Sequence, residues 1–544
     1  MHLGLLLGLG LLLAICLLIM VSQRLAVPYP IVLVLAGLGI SFIPGLPVAR
    51  IDPEVIFLIF LPALLYEAAW FTSWKDFWKW RRVIGFLAFG LVFLTSGVVA
   101  WVSAALIPGF TLALGFLLGG IISPPDAVAA SSVMRTMHLP RRLLAVLEGE
   151  SLINDASSLI VLRFALGAVF SGTFVWQQAA TSFFLVTGLG IGIGLAVGVV
   201  FYAIHRWLPT SPSIHTALTL ATPYLMYAAA EAGNGSGVMA VVSGGLFMSY
   251  HSPALFSPAN RRQGQSTWTT VGFVLNGAVF LLIGLQLPFI SNALGNYSKP
   301  QAIGYGLLIA GLVIVTRLAF VLLASLFSTF MSSFIRVEDA APGWRGPLVA
   351  GYAGMRGVVS LAAALSLPLL DGTGHPFPQR NLILFITFLV ILVTLVGQGL
   401  TLPLLIRWVG VEDRWQQRPE HEQRLTARQQ LTATALHELH VLHPQPAPPN
   451  GLLSILQNTL ENDLHLAAHQ LQEENNLVIA DEVGEYHRVY TQLLHVQRHQ
   501  LHHLRQQDEY DDEVIRQLET QLDVEAEKLA LFVEDQHRAA LTAR

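Results

Sequence analysis

The chain has 544 residues, 53% of them hydrophobic and only 12% charged, with a mean hydropathy of +0.58. Soluble domains carry about a quarter charged residues, so this composition argues against a soluble fold. The formal net charge of -4 gives no electrostatic basis for binding nucleic acid, and the single cysteine, Cys16, leaves no intramolecular disulfide framework.

Apolar runs of about 20 residues, the length that crosses ~30 Å of hydrocarbon, recur as far as about Trp408 and then stop. They fall near 3–22, 29–47, 54–72, 83–107, 111–134, 142–170, 181–205, 214–232, 236–251, 270–291, 302–331, 346–370 and 381–408, about thirteen crossings in all. No Lys or Arg precedes the first apolar stretch and no small-residue cleavage site follows it, so it reads as a retained helix rather than a signal peptide. Lys and Arg concentrate on the cytoplasmic side of membrane proteins. An outside N-terminus places Arg24, then Lys75, Lys79, Arg81 and Arg82, then Arg135, Arg141 and Arg142, then Arg206, Arg261, Arg262, Arg336 and Arg345 in cytoplasmic loops. The opposite loops then hold only Arg50, Lys299 and Arg380. The expected organisation is a transmembrane domain over 1–410 and a cytoplasmic helical tail over 411–544, rich in Gln, Glu, His and Leu and interrupted by a Pro-rich stretch at 443–451. Leu452, Ile455, Leu456 and Leu460, then Leu493, Leu494, Leu501 and Leu504, recur at roughly helical spacing and suit a small bundle or self-association.

Ionisable groups at mid-bilayer are expensive, about 2.5–3.5 kcal/mol each on insertion scales, and so are candidates for function. Glu67 lies inside the third run, Asp126 near the centre of the fifth, Glu150 and Asp155 near the centre of the sixth, and Arg356 near the centre of the twelfth. Ser123-Pro124-Pro125-Asp126 interrupts the fifth run: two prolines remove two amide donors and disfavour helix before them. Unwound backbone at that depth is tolerated only inside protein or along a water-filled cavity, where its carbonyls are ready cation ligands. In the sixth run, Glu150, Ser151, Asn154 and Asp155 recur at i, i+1, i+4 and i+5, which predicts one polar face with Ser151, Asn154 and Asp155 turned toward the broken segment. The twelfth run holds Gly351, Gly354 and Gly357 around Arg356, and a buried Arg needs a carboxylate, for which Glu150 lies at the matching depth. Two broken helices seven crossings apart predict an inverted repeat with an ion site between its halves.

These stretches, together with Leu61-Pro-Ala-Leu-Leu-Tyr-Glu67-Ala-Ala, Gly149-Glu-Ser-Leu-Ile-Asn-Asp155, Gly235-Ser-Gly-Val-Met-Ala-Val-Val, Asn276-Gly-Ala-Val-Phe-Leu-Leu-Ile-Gly-Leu-Gln286-Leu and Gly354-Met-Arg356-Gly-Val-Val-Ser-Leu-Ala, resemble in order the sodium/proton exchanger branch of the monovalent cation:proton antiporters, specifically the bacterial NhaP-like members. The resemblance implies an all-α membrane protein of thirteen helices in the bacterial inner membrane, forming a homodimer, with a dimerisation part beside a six-helix ion-carrying core. It implies that Asp155 is the transport carboxylate, that Ser151, Asp126 and the Pro125 backbone help hold sodium, and that Asn154 steadies the broken crossing. Glu150 and Arg356 would form a structural ion pair. Many relatives read Thr-Asp-Pro where this chain reads Pro125-Asp126-Ala127, so one hydroxyl ligand is missing and the choice among sodium, lithium and potassium stays open.

A carboxylate holds either a proton or a small cation, so a single site facing alternate sides couples the two fluxes by competition. Asn154 before Asp155, where electrogenic relatives place two aspartates, resembles the electroneutral class. No cofactor and no enzymatic chemistry is expected, because the membrane part has no nucleotide loop or metal-ligand cluster. A potassium/proton antiporter is the second reading, and a cation channel or sensor on the same fold a more distant one. Glu67 stands open between an access funnel and a structural hydrogen bond. Arg163 and Arg317 read as structural partners more readily than as ion guides. His495, His499, His502 and His503 on the tail read as a solvated helix face before a pH sensor or metal site.

Overall fold

The structure is a computed structural model that describes residues 2–43, 56–134, 137, 139–172, 176–208, 211–292, 294, 297–331, 343–370, 374–411, 420–443, 451–472, 476–505 and 512–542. Arg50, Arg135, Arg336 and the Pro-rich stretch 444–450 lie outside the described residues. The chain divides into two units, Met1–Glu412 and Asp413–Arg544.

The first unit is helical almost throughout. Its helices are α1 (His2–Leu25), α2 (Tyr29–Ser41), α3 (Leu61–Phe71), α4 (Trp74–Gly85), α5 (Val92–Leu106), α6 (Leu112–Ile122), α7 (Ala127–Met134), α8 (Arg141–Ser171) and α9 (Trp176–Trp207). They are followed by α10 (Pro212–Ala232), α11 (Gly237–Leu255), α12 (Pro258–Leu285), α13 (Leu287–Asn292), α14 (Lys299–Met331), α15 (Arg345–Tyr352), α16 (Val358–Leu365), α17 (Arg380–Leu392) and α18 (Gly399–Val409). Wider π-helical turns lead into α3 at Ile56–Phe60, join α4 to α5 at Phe86–Leu91 and join α17 to α18 at Val393–Gln398. By length and composition, 8 helical stretches among the described residues can cross a membrane, and the apolar helices Tyr29–Ser41 and Leu58–Phe71 are shorter.

Helix starts follow local chemistry. Ser73, Thr111, Ser211, Ser236 and Ser257 each accept a hydrogen bond from an amide of the first turn of α4, α6, α10, α11 and α12. Small residues then let helices approach closely. A Cβ on Gly115 or Gly119 of α6 would lie 2.6 Å from the Cα of Ala100 or Ser96 on α5. On α9, a Cβ on Gly190 would lie 2.5 Å from the carbonyl oxygen of Ser236, and one on Gly194 would overlap Ala240 of α11. Gly37 of α2 and Gly284 of α12 each receive the other helix's backbone in the same way. Without a hydrophobic drive between helices in lipid, such contact is a principal source of association.

Three buried apolar clusters result among the described residues, the smallest of them Phe201, Met248 and Phe256. The largest draws on α5 to α8, α12 and α14 to α18, with Leu117, Ile122, Phe280, Val313 and Phe388 at its centre. A second joins α3, α8, α10, α11 and α12 around Tyr66, Met226, Val241 and Trp268. Near the ends of α9 and α10, the Nδ1 atoms of His205 and His215 stand 2.6 Å apart, so one imidazole donates to the other.

The second unit holds α19 (Glu420–Leu442), α20 (Leu452–Gln472), α21 (Asn476–Arg505) and α22 (Asp512–Thr542). Arg428 reaches Asp463 at 3.2 Å and Arg498 reaches Asp523 at 2.7 Å, while Leu494, Leu501, Ile515 and Leu529 are buried. The ion pairs are exposed and contribute little; the leucines account for the pairing. His495, His499, His502 and His503 lie on the exposed surface of α21.

Candidate ion-binding site

The helix that begins as α6 stops at Ile122, and residues 123–126 are not helical before α7 starts at Ala127. The missing amides of Pro124 and Pro125 end the ladder there. A second break, over 353–357, separates α15 from α16. The two breaks touch: the Asp126 amide donates to the Met355 carbonyl at 2.7 Å.

Each break carries one charge aimed at the helix ends of both. The Asp126 carboxylate accepts from the Val128 amide at 2.8 Å, and the amides of Ala129 and Val358 also face it. It therefore stands at the amide ends of α7 and α16, where the helix dipoles favour an anion. A Cβ on Gly357 would overlap this carboxylate, so only glycine permits the approach. Arg356 does the converse. Its Nε donates to the Ile122 carbonyl at 2.9 Å, its Nη2 to Ser123 at 3.3 Å and its Nη1 to Gly354, at the carbonyl ends of α6 and α15. The backbone amide of Arg356 donates to Thr394 Oγ1 at 3.0 Å, which ties the crossing to the π-helical turn after α17.

α8 passes beside the first break. Ser151 Oγ donates to the Pro125 carbonyl at 3.3 Å and accepts from the Ala127 amide at 3.2 Å, so it holds both sides of the interruption. Asp155, one turn further along, lines a cavity of about 680 Å³ whose wall also includes Asp126, Pro125, Ser151, Glu67 and Glu148. Two aspartates, a serine hydroxyl and backbone that is not helical thus share one wall. These are oxygen donors of the kind that bind hard monovalent cations, and protonation of a carboxylate removes that donor.

Two expectations require correction. Glu150 does not pair with Arg356: it takes a two-pronged contact from Arg317 of α14, at 2.5 Å from Nη1 and 2.9 Å from Nη2, with both side chains 1% exposed. The carbonyls left bare by the breaks already engage the donors of Arg356, and sequence depth alone did not separate the two arginines. The single polar face on α8 is also split. At about 100° per residue, neighbours in sequence diverge: Glu148, Ser151 and Asp155 line the cavity, while Glu150, Asn154 and Ser157 are wholly buried elsewhere. Ser157 donates to the Ala88 carbonyl of a π-helical turn at 2.6 Å. Neither amide atom of Asn154 reaches a hydrogen-bond partner, so it does not bond the crossing.

Glu67 lines the cavity and packs against Gly272 of α12. Arg163 meets Glu231 at 3.3 Å in an exposed pair, and Glu231 also accepts from the Gly237 amide at 3.2 Å, which makes this a joint between α8, α10 and α11. Glu148 is a cavity residue that sequence reading did not single out, although its seven-residue spacing to Asp155 places the two on one helix face.

A multi-pass helical membrane protein in which two interrupted helices meet beside carboxylates on a cavity wall is a secondary ion transporter by architecture. The chain belongs to the sodium/hydrogen exchanger family, whose transmembrane profile matches residues 10–408. It is 33% identical over 521 residues to an uncharacterized Na(+)/H(+) exchanger of Mycobacterium tuberculosis, covering 93% of each chain. It is 34% identical over 423 residues to a sodium, potassium, lithium and rubidium/H(+) antiporter of Bacillus subtilis, covering 76% of this chain and 62% of that one. The fold is similar to that of the sodium proton antiporter MjNhaP1 from Methanocaldococcus jannaschii, with a TM-score of 0.59 at 20% identity over 75% of this chain and all of that one.

Proposed function

We propose that this family member exchanges sodium for protons at Asp155, with Ser151, Asp126 and the Pro125 carbonyl completing the cation's shell. The observation that carries this reading is the shared cavity wall of Asp155, Asp126, Ser151 and Pro125 beside the double break. Sodium and a proton compete for the same carboxylate, and alternate exposure of that carboxylate to the two sides converts competition into exchange. Asn154 contributes no second carboxylate next to Asp155, which favours one cation for one proton and an electroneutral cycle. The Bacillus subtilis relative's name covers four alkali cations, and the absence of a threonine hydroxyl at position 125 fits a similarly permissive site, with sodium as the first substrate to test.

The arrangement in the cell follows the same reading: about thirteen crossings in a bacterial inner membrane, the N-terminus outside, the tail in the cytoplasm and two copies of the chain side by side. Arg356 and Asp126 hold the break open by neutralising helix ends, and Glu150 with Arg317 anchors α8 to α14.

The deciding experiment is reconstitution in liposomes with an internal pH dye and the membrane potential clamped. A sodium pulse moves protons in wild type, and Asp155→Asn abolishes the response while the protein still reconstitutes as a dimer. Full activity in Asp155→Asn, or conduction of sodium with no coupled proton movement, overturns the assignment and favours a channel on this fold. Repeating the pulse with potassium and lithium ranks the ions.

A further inference from the structure

The stretch from Trp74 to Leu106 is 33 residues long, about 50 Å of continuous helix, ~20 Å more than the hydrocarbon it must cross. Two exposed tryptophans mark where the bilayer lies along it. Trp78 is 53% exposed and Trp101 71% exposed, and the 23 positions from one to the other rise ~35 Å, the hydrocarbon thickness plus part of the headgroup region. Interfacial tryptophans sit at the headgroup level. From Val83 to Trp101 the outward residues are apolar, among them Val83, Phe86, Phe93 and Leu94.

The turns on either side of Trp78 carry the charge. Lys75, Lys79 and Arg82 recur at i, i+4 and i+7 on one exposed side of α4, with Arg81 beside them and Asp76 the only acid on the helix. Arg81 lies 4.6 Å from the Trp78 ring centre, Lys79 5.5 Å from that of Trp80, and Arg142 of α8 5.0 Å from that of Trp80. Directly below, Phe86 stacks on Phe320 of α14 at 5.0 Å and 15°, forming an apolar floor. At the Trp101 end there is no counterpart, since no Lys or Arg occurs between Val83 and Arg135.

We propose that the first turns of α4 bind the headgroup of an anionic phospholipid in the leaflet beside them, the cytoplasmic leaflet in the orientation proposed above. The phosphate lies among Lys75, Lys79 and Arg82, and the acyl chain runs down over Val83 and the Phe86–Phe320 floor. A zwitterionic lipid fits the floor equally well and lacks the net charge that the cations select.

The test uses the full chain in detergent by native mass spectrometry, with dioleoyl phosphatidylglycerol against dioleoyl phosphatidylethanolamine as probes. Wild type retains the anionic lipid preferentially. Lys75→Gln and Lys79→Gln each weaken retention roughly fivefold, and the triple change that adds Arg82→Gln weakens it on the order of 100-fold. Arg261→Gln with Arg262→Gln, another basic pair in the first turns of α12, leaves retention unchanged. The site is refuted by equal retention of the two lipids in wild type, by full retention in the single variants, or by an equal loss in the Arg261 and Arg262 control. The readout is lipid retention rather than transport, so it stands or falls independently of Asp155.

Discussion

α8 presents two polar surfaces that differ in what their charge is for. On one, Glu148, Ser151 and Asp155 line a cavity, and the Ser151 hydroxyl is bonded to the broken backbone. On the other, Glu150 is 0% exposed and locked to Arg317, with Ser157 bonded to Ala88. A carboxylate that must release its ion needs access and a partner that leaves; a carboxylate that fixes two helices needs burial and a partner that stays. Residues 150 and 155 have similar depth along one helix and opposite surroundings, set by which neighbour each azimuth meets, and the roles proposed for them differ accordingly.

Removing one side of the fixed pair sharpens the contrast most. Glu150→Ala leaves Arg317 charged and buried alone, with an expected loss of about 3–5 kcal/mol read as a lowered thermal midpoint in detergent, and Glu150→Leu with Arg317→Met recovers most of it. Loss of exchange at unchanged stability in Glu150→Ala would place Glu150 on the ion's side instead. Gly357→Ala comes next: its methyl group displaces the Asp126 carboxylate, and sodium-driven proton movement falls on the order of 100-fold, as misplacement of a reacting group by about 1 Å does. Ser151→Ala removes one neutral hydrogen bond to the break, about 1 kcal/mol, and raises the sodium concentration for half-maximal exchange roughly fivefold with little change in melting. Asn154→Ala has the smallest effect on stability, about 1 kcal/mol or less, because no hydrogen bond is lost. A larger drop, measured by thermal shift, would restore Asn154 as a brace of the crossing.

Much of this was legible in the residues. Pro124-Pro125 and the glycines around Arg356 marked the two breaks because proline and glycine act on the backbone locally, without reference to tertiary partners. Asp126 and Asp155 stood out because charge at that depth is costly. What sequence could not supply was azimuth and partnership. Arg317 and Arg356 were equally eligible for Glu150 by depth, and only the packing of α14 against α15 decides between them. Grouping 150, 151, 154 and 155 as one face merged two sides about 100° apart, and that same merger hid Glu148. The long helix from Trp74 concealed a π-helical turn at Phe86–Leu91, which periodicity does not announce.

The glycine contacts between helices have a mechanical consequence. Where the backbone of α5 sits in the notches of Gly115 and Gly119, and that of α11 in those of Gly190 and Gly194, neither helix can slip along its neighbour by one residue, because Phe116, Ile191 or Leu195 would then have to enter a notch shaped for glycine. These seams behave as rivets. The α5–α6, α9–α11 and α2–α12 pairs travel as single bars, and whatever stroke carries an ion from one side to the other has to shear along seams that lack them.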